Sequence, residues 1–311
     1  MTRLSFAIPS KGRLKENTET WLSRCGFRLR QIGGGRGYTA TLEGVPEIDI
    51  LLLSAREIAE GLIAGKLHLG VTGEDLLNDL SSNIQMDIHV LRKLGFGHAD
   101  MVVAVPAAWL DVDTMADLEA AGAQFRGRYG RRLRVATKYM NATRRFFAAR
   151  SVGEYRLVES AGATEAAPAA GSADLIVDIT STGATLKANG LKILSDGVIL
   201  RSQAALTASQ NADWSQAAKM ALGTLLDAIE AQRAAGEIKK IETATDLPDA
   251  AIKQPGVVRL GPRSILVPDH SVSEAARALA RDGHDPVVIT TVEHWFQKRN
   301  LVLENFLSKL S

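Results

Sequence analysis

The stretch from residue 173 to residue 191 constrains the fold more than any other part of the sequence. Its first half, residues 175–179, is aliphatic and apolar on both faces, which is typical of a strand buried in a parallel sheet. A run of small and hydroxyl residues follows, after which residues 186–189 have helical character and Gly190 is a suitable C-cap. The sequence therefore predicts a strand, a short loop and a helix start, which is a unit of α/β folds.

The loop of this unit has the chemistry of an anion site. Amides at a helix N-terminus lack intrahelical partners and carry the positive end of the helix dipole. Thr182 and Thr185 add hydroxyl donors, and Gly183 allows close approach of a ligand. Asp178 ends the strand, where ligands of open α/β sheets bind, so the pattern suits a phosphorylated sugar. An ordinary strand–helix connection with N-capping threonines explains it equally well, and both interpretations stay open.

The N-terminal segment predicts a second strand end with polar residues. Residues 4–8 predict a strand, and residues 15–23 predict the helix after it. Lys11 and Arg13 flank Gly12 in the exit loop between them. Cations at such a position neutralise a pyrophosphate or triphosphate, although two ordinary surface cations would give the same pattern.

Two further segments bear on the site. Residues 66–73 predict a strand that runs into a tight turn, and Asp75 lies in the first turn of the helix that follows. By its position alone Asp75 complements the helix dipole. The glycine-rich run at residues 33–37 is followed by a strand-like segment and not by a helix, so it lacks the context of a dinucleotide fingerprint. We expect a mobile loop there.

Composition excludes several classes of protein. The 311 residues include 37 basic and 35 acidic residues, a formal net charge of +2 that is too balanced for general nucleic-acid binding. With Cys25 as the single cysteine, the chain has no internal disulfide and no thiolate metal cluster, and we expect a buried thiol. The N-terminal apolar run is too short for a signal peptide, and no stretch approaches the roughly 20 residues that span a bilayer. These features predict a cytoplasmic protein with no membrane contact.

Five motifs, in order, resemble those of the ATP phosphoribosyltransferases, the first enzymes of histidine biosynthesis. The resemblance covers roughly residues 1 to 210 and includes the stretch with which we began, which is similar to the family's motif for phosphoribosyl pyrophosphate (PRPP). The five motifs are residues 8–14, 69–77, 94–97 with 102–106, 134–147 and 173–191. Five motifs in register are far more specific than any one of them.

The resemblance implies an α/β fold with two lobes of the periplasmic-binding-protein type, separated by a cleft, and a small α+β C-terminal domain. The implied divisions are residues 1–98 with 188–212 for lobe I, 99–187 for lobe II, 213–255 for a helix and linker, and 256–311 for a regulatory or assembly domain. In the family's long form that last domain is ferredoxin-like and binds histidine. Here its match is weak, its first half is shortened, and residues 293–310 predict an atypical terminal helix.

The same resemblance assigns site residues. PRPP would be bound by Asp174, Asp178, Thr180, Ser181, Thr182, Gly183, Ala184 and Thr185. The nucleotide would be bound by Lys11, Gly12, Arg13, Asp75 and Glu165. The residues expected to act in catalysis are Lys11, Arg13, Asp75, Glu165 and Asp178. No protein ligand to a metal is assigned, and Mg²⁺ is expected on the pyrophosphate.

The implied reaction joins ATP and PRPP to give N1-(5-phosphoribosyl)-ATP and pyrophosphate. The implied assembly is a homo-oligomer, a dimer or a hexamer, with histidine as an inhibitor. The family's short form needs a partner that resembles histidyl-tRNA synthetase, and the unusual C-terminus leaves that arrangement open. A periplasmic-type solute-binding module without chemistry is the other alternative, since it shares the architecture.

This sequence departs from the family pattern at four positions near the expected site. Glu74 stands where a basic residue is common, and Met140 stands where proline is usual. Ala163 and Thr164 replace a serine and a valine just before Glu165. We expect Asn141 to cap the helix that follows Met140.

Overall fold

The computed structural model describes residues 3–32, 38–81, 83–160, 162–249 and 254–310, and three sheets organise these residues. The expected loop at residues 33–37 lies outside them. The strands, in chain order, are β1 Leu4–Pro9, β2 Leu29–Ile32, β3 Thr39–Leu42, β4 Val45–Leu53, β5 Leu69–Gly73, β6 Ile88–Lys93, β7 Ala99–Pro106, β8 Leu133–Thr137, β9 Tyr155–Glu159, β10 Leu175–Thr180, β11 Leu191–Ser202, β12 Ala204–Ser209, β13 Ile238–Thr243, β14 Val258–Gly261, β15 Ser264–Pro268 and β16 Val287–Thr291. The α-helices are α1 Gly12–Arg24, α2 Ala55–Ile63, α3 Glu74–Leu80, α4 Ile84–Asp87, α5 Met115–Tyr129, α6 Met140–Ala149, α7 Ala184–Ala188, α8 Gln216–Gly236, α9 Val272–Arg281 and α10 Leu301–Leu307.

The first sheet has the order β2-β3-β4-β1-β5-β12-β6, with β1 parallel to both β4 and β5. Leu22 of α1 and Leu225 of α8 pack on one face of this sheet, whereas Ile58 of α2 and Leu77 of α3 pack on the other. The chain therefore leaves β1 toward one face and leaves the neighbouring β5 toward the opposite face. This reversal opens a crevice at the carboxyl ends of β1 and β5, which is where open α/β sheets bind ligands.

The second sheet repeats this arrangement with the order β11-β7-β10-β8-β9. Strand β8 is parallel to β10 and leads into α6, whose Phe147 packs on one face. Strand β10 leads into α7, whose Leu186 packs on the other face. A second crevice therefore opens at the carboxyl ends of β8 and β10.

Two crossings join the lobes built on these sheets. The segment between β6 and β7 is hydrogen-bonded to the first residue of β12, from Leu94 N to Ala204 O (2.9 Å) and from Ala204 N to Phe96 O (3.0 Å). The expected fold class, two α/β lobes with a further small domain, is confirmed. The chain returns to the first sheet at Gln203 and not at residue 188 as predicted, because β11 stays paired with β7 along its length.

A third sheet forms the small C-terminal domain, with the order β14-β15-β13-β16 and α9 packed on one face. Its connectivity is the ferredoxin-like pattern without a helix between the first two strands, in the part of that connection which is described. The prediction of a helix and linker over residues 213–255 was wrong for residues 238–243, since β13 pairs with both β15 and β16.

The chain end returns to the first lobe. The predicted helix over residues 293–310 is confined to α10, and Phe306 is fully buried in the core that α8 and the first sheet share. The Phe306 ring lies 5.0 Å from that of Trp214 and 5.7 Å from that of His89. Residues from Leu301 onward therefore belong by packing to the first lobe and not to the C-terminal domain.

Two single-residue expectations are settled by burial. Cys25 is 1% exposed, and burial followed by the charge of Glu230 raises the pKa of its thiol to about 12, so it behaves as the expected buried apolar residue. The strand predicted over residues 66–73 favours a surface position for His68, but His68 is buried, with Nε2 2.9 Å from the carbonyl oxygen of Asp213. No helix in the described part of the chain has the length and apolar character needed to cross a membrane.

Candidate active site

The two crevices face each other across the cleft between the lobes. One link between them is a hydrogen bond of 2.8 Å, in which the Tyr139 hydroxyl, after β8, donates to Asp75, after β5. The strand ends that open the two crevices therefore meet at one place. Residues on the exit loops of β1, β5, β8 and β10 share this cleft although they lie far apart in the sequence.

The loop after β10 has its shape set by its own hydroxyl groups. The Gly183 amide donates to Thr180 Oγ1 (2.8 Å), and the Ser181 hydroxyl donates to the His98 carbonyl at the crossing between lobes (3.0 Å). Gly183 has a φ of +73°, a conformation that glycine adopts without strain. Ser181, Thr182, Ala184 and Thr185 are exposed. The Ala184 amide donates to Thr182 Oγ1 (3.3 Å), so the loop hydroxyls satisfy two of the backbone amides at the start of α7.

Asp178 is the carboxylate beside this loop. Burial raises its pKa above the ordinary value, and the charge of Glu165 raises it further. The Ile179 amide, which donates to Asp178 Oδ1 at 2.9 Å, the Lys138 ammonium and the Thr164 hydroxyl act in the opposite direction without reversing the shift. Glu165 and Lys138, both missing from the local sequence around Asp178, thus act on its pKa with opposite signs.

Asp75 is more enclosed than expected for a residue that faces a cleft. It is 7% exposed, and both of its carboxylate oxygens accept hydrogen bonds, Oδ2 from Tyr139 and Oδ1 from Ser202 (3.0 Å). Burial and the Asp75 charge raise the pKa of Tyr139, so its hydroxyl stays protonated and remains a donor. Asp75 consequently belongs to the interface between the lobes.

Lys11, Gly12 and Arg13 lie at the carboxyl end of β1, beside the β5 exit. The helix begins at Gly12, earlier than predicted, so Lys11 is its N-cap and Arg13 lies in its first turn and not in a loop. All three are exposed, and no ion pair engages Lys11 or Arg13 within the described ranges. These two cations are therefore free to meet an anion in the cleft.

Asp174 lies away from the loop that it was expected to serve. It precedes β10, whereas the loop follows the last residue of this six-residue strand, a span of about 20 Å. Burial opposes its ionisation, but hydrogen bonds from Arg131 and Arg134 prevail and lower its pKa to about 2. Asp174 thus stabilises the amino end of the strand through ion pairs (2.7 and 3.1 Å).

The sequence did not predict four residues that the structure places at this site, which are Lys138, Tyr139, Ser202 and Asp79. Lys138 gave a signal, since it is a cation at a strand-to-helix turn. Tyr139 and Ser202 gave none, because each reaches Asp75 from a distant part of the chain. The expected cap of α6 was also wrong: Asp79 Oδ1 accepts from the amides of Asn141 and Ala142, each at 2.9 Å. Asp79 belongs to α3, so a residue of the first lobe caps a helix of the second.

Comparisons with known proteins agree with this geometry. The family model described as HisG, ATP phosphoribosyltransferase, matches residues 54–231. An ATP phosphoribosyltransferase of Caulobacter vibrioides is 51% identical over 316 residues, covering 99% of this chain and 98% of that protein. One from Rhodopseudomonas palustris is 46% identical over 321 residues, covering 98% of this chain and 99% of its own length.

Among solved structures, the ATP phosphoribosyl transferase (HisG:HisZ) complex from Thermotoga maritima matches with a TM-score of 0.56 and 25% identity, covering 73% of this chain and 96% of that chain. The relatives span the whole chain at identities that unrelated proteins do not reach. This chain belongs to the ATP phosphoribosyltransferase family.

Proposed function

We propose that this protein transfers the phosphoribosyl group of PRPP to N1 of the adenine of ATP and releases pyrophosphate, the first step of histidine biosynthesis. The observation that carries the proposal is the meeting of two crevices in one cleft. One crevice has a hydroxyl-rich loop beside Asp178, and the other has two cations, Lys11 and Arg13, that form no ion pair with any described residue.

The proposed PRPP subsite lies in the second lobe, at the loop after β10. We assign the 5′-phosphate to the exposed amides and hydroxyls of the loop after β10. Asp178, at the carboxyl end of the same strand, accepts hydrogen bonds from the ribose hydroxyls. The residues of this subsite are Thr180, Ser181, Thr182, Gly183, Ala184 and Thr185. Asp174 is left out, since it lies at the other end of β10 and is held by two arginines.

The reaction then needs positioning and charge more than proton transfer. The lone pair of adenine N1 forms the new bond to C1′ of the ribose, and the pyrophosphate leaves with the electron pair of the broken C1′–O bond. Because N1 carries no proton, this step requires no base. Positive charge grows on the ribose beside Asp178, and negative charge grows on pyrophosphate near Lys11 and Arg13. Glu165 orients the nucleotide, and Gly12 lets the backbone approach its phosphates.

Mg²⁺ fits this site as an ion that the substrate brings. Within the described residues, no three His, Cys, Asp or Glu side chains lie close enough together to hold a metal ion. We assign no side chain as its ligand, so the ion would be held by substrate oxygens and water. When bound, the ion supplies positive charge to the leaving group.

Regulation and assembly are proposed on the family evidence. The small third domain supports histidine as a feedback inhibitor, and the Thermotoga complex supports a second protein as an alternative regulator. We further propose a homo-oligomer, a dimer or a hexamer, that works in the cytoplasm.

Pyrophosphate release from the purified chain tests the proposal. Release should require ATP, PRPP and Mg²⁺ together, and omission of either organic substrate should abolish it. Repeating the assay with histidine distinguishes a self-regulated enzyme, in which release is inhibited, from a chain whose tail serves assembly. Substrate binding without release under any condition would instead support a solute-binding module.

A further inference from the structure

Asp75, Tyr139 and Ser202 form a buried hydrogen-bonded group where three parts of the chain meet. The Asp75 carboxylate accepts from Tyr139 at 2.8 Å and from Ser202 at 3.0 Å, and the Asp75 amide donates back to Ser202 Oγ at 3.0 Å. Asp75 opens α3 in the first lobe, Tyr139 precedes α6 in the second, and Ser202 ends β11 at the crossing. A single carboxylate thus joins both lobes and the connection between them.

Tyr139 is held rigidly on its own side of the cleft. Its ring is 1% exposed, its amide donates to Thr137 Oγ1 (2.9 Å), and its carbonyl accepts from Thr143 (2.6 Å). These contacts fix the direction in which the Tyr139 hydroxyl points, which is toward the other lobe. The hydrogen bond to Asp75 can therefore form only when the two lobes are in contact.

The Tyr139 ring also contacts the side chain of Lys138. The Lys138 ammonium lies 5.0 Å from the ring centroid, a cation–π distance. The same ammonium is the positive charge that acts on Asp178, whereas Glu165 is the negative one. Ile176 of β10 pairs with Ala136 of β8, so Asp178 and Lys138 each lie two residues further along these parallel strands.

We propose that Asp75 and Tyr139 are a positioning pair for the PRPP site. Contact between the lobes forms their hydrogen bond, the bond fixes the Tyr139 ring, and the ring holds the Lys138 ammonium beside Asp178. Asp75 acts through Tyr139 and not by touching the substrate. This inference rests on the proposed function only in naming the ligand of Asp178, because the chain of contacts is independent of it.

Variants of Tyr139 separate the two links. Tyr139→Phe keeps the aromatic ring and loses the hydrogen bond to Asp75. Tyr139→Leu loses both this hydrogen bond and the ring that Lys138 contacts. Tyr155→Phe is the matched control, since Tyr155 packs on Phe147 in the same lobe, remote from Asp178. We expect kcat/KM for PRPP to fall by about tenfold to a hundredfold in Tyr139→Phe, the range for a hydrogen bond to a charged group, and to fall further in Tyr139→Leu.

The decisive readout is the titration of the Asp178 carboxyl, followed by ¹³C NMR in the intact chain and assigned with Asp178→Asn. Tyr139→Leu should shift the midpoint upward, as Lys138→Met should, and Tyr155→Phe should leave it unchanged. A folded Tyr139→Leu protein with the wild-type Asp178 midpoint would overturn the inference. The inference would also be overturned if the losses of kcat/KM from Tyr139→Phe and Ser202→Ala simply add when both changes are combined. If Tyr139→Leu does not fold, Tyr139→Phe with Lys138→Met decides by the same titration. Because this measurement needs no turnover, an inactive wild-type enzyme would contradict the proposed function and leave this test intact.

Discussion

Replacing Phe306 by alanine should destabilise the first lobe by about 3–5 kcal/mol, the usual cost of truncating a fully buried phenylalanine to alanine. Phe306 has no exposed surface, and its ring packs edge-on against Trp214 at 5.0 Å and stacks on His89 at 5.7 Å. A residue five positions from the chain end therefore completes the core beneath the first sheet. For a cooperative unit of 150–250 residues this cost lowers Tm by about 6–20 °C.

Leu301→Ala provides the matched control on the same helix. Leu301 is 61% exposed, so its truncation should change the free energy of unfolding by no more than about 0.5 kcal/mol. Urea unfolding followed by tryptophan fluorescence suits both variants, because Trp214 is in contact with Phe306. Equal stabilities of the two variants would show that α10 is not docked on the first lobe, and would refute the packing argument.

The other predictions concern charge and backbone. Lys138→Met should move the acid limb of the kcat/KM profile for PRPP to higher pH and Glu165→Gln should move it to lower pH, because they remove opposite influences on the pKa of Asp178; shifts in the same direction would contradict this electrostatic assignment. Burial and the nearby Lys309 lower the pKa of His89, so the stability it contributes is present above its unfolded pKa and is lost as pH falls through the folded value. His89→Gln should flatten the stability profile below about pH 6.5, and an unchanged slope would exclude His89 as its source. Gly183→Ala places a side chain at φ +73°, where no atom lies closer than 3.9 Å, so the substitution acts through backbone strain alone. This strain, about 1–2 kcal/mol, should raise KM for PRPP roughly five- to thirtyfold. An unchanged KM would mean that this loop conformation is not needed for binding.

Local pattern was enough to place most strands and helices of the two lobes. The buried run at β10 and the loop after it were readable because their signals, apolar continuity and small hydroxyl residues, lie within a few neighbours. The loop's residues remain a prediction as a PRPP site. What the structure adds is that Ser181, Thr182, Ala184 and Thr185 are exposed at the carboxyl end of β10.

Contacts between distant residues could not be read from the sequence. Nothing near Asp75 indicates that Tyr139 and Ser202, 64 and 127 positions away, will take both of its carboxylate oxygens. Asp174 and Asp178 look equivalent on one strand face, and only the arginines at the amino end of β10 separate their roles.

The prediction for the C-terminal part was wrong for a different reason. Strand β13 carries Lys239, Lys240 and Glu242, so its composition resembles a linker, yet it lies at the centre of the third sheet. A polar face is compatible with a strand when one side of an antiparallel sheet is left open to water. The return of α10 to the first lobe likewise depends on Phe306 meeting a core formed by residues far earlier in the chain.

The most direct test of the account compares Asp178→Asn with Asp174→Asn in the pyrophosphate-release assay. Both variants remove one carboxylate charge at opposite ends of β10, and circular dichroism establishes that each is folded. We predict a loss of about 10²–10³ in kcat for Asp178→Asn, the size expected when a preorganised group at the developing charge is removed, and less than a fivefold change for Asp174→Asn. Near-normal turnover of Asp178→Asn, or an equal loss in both variants, would contradict the assignment of the PRPP site to the carboxyl end of β10.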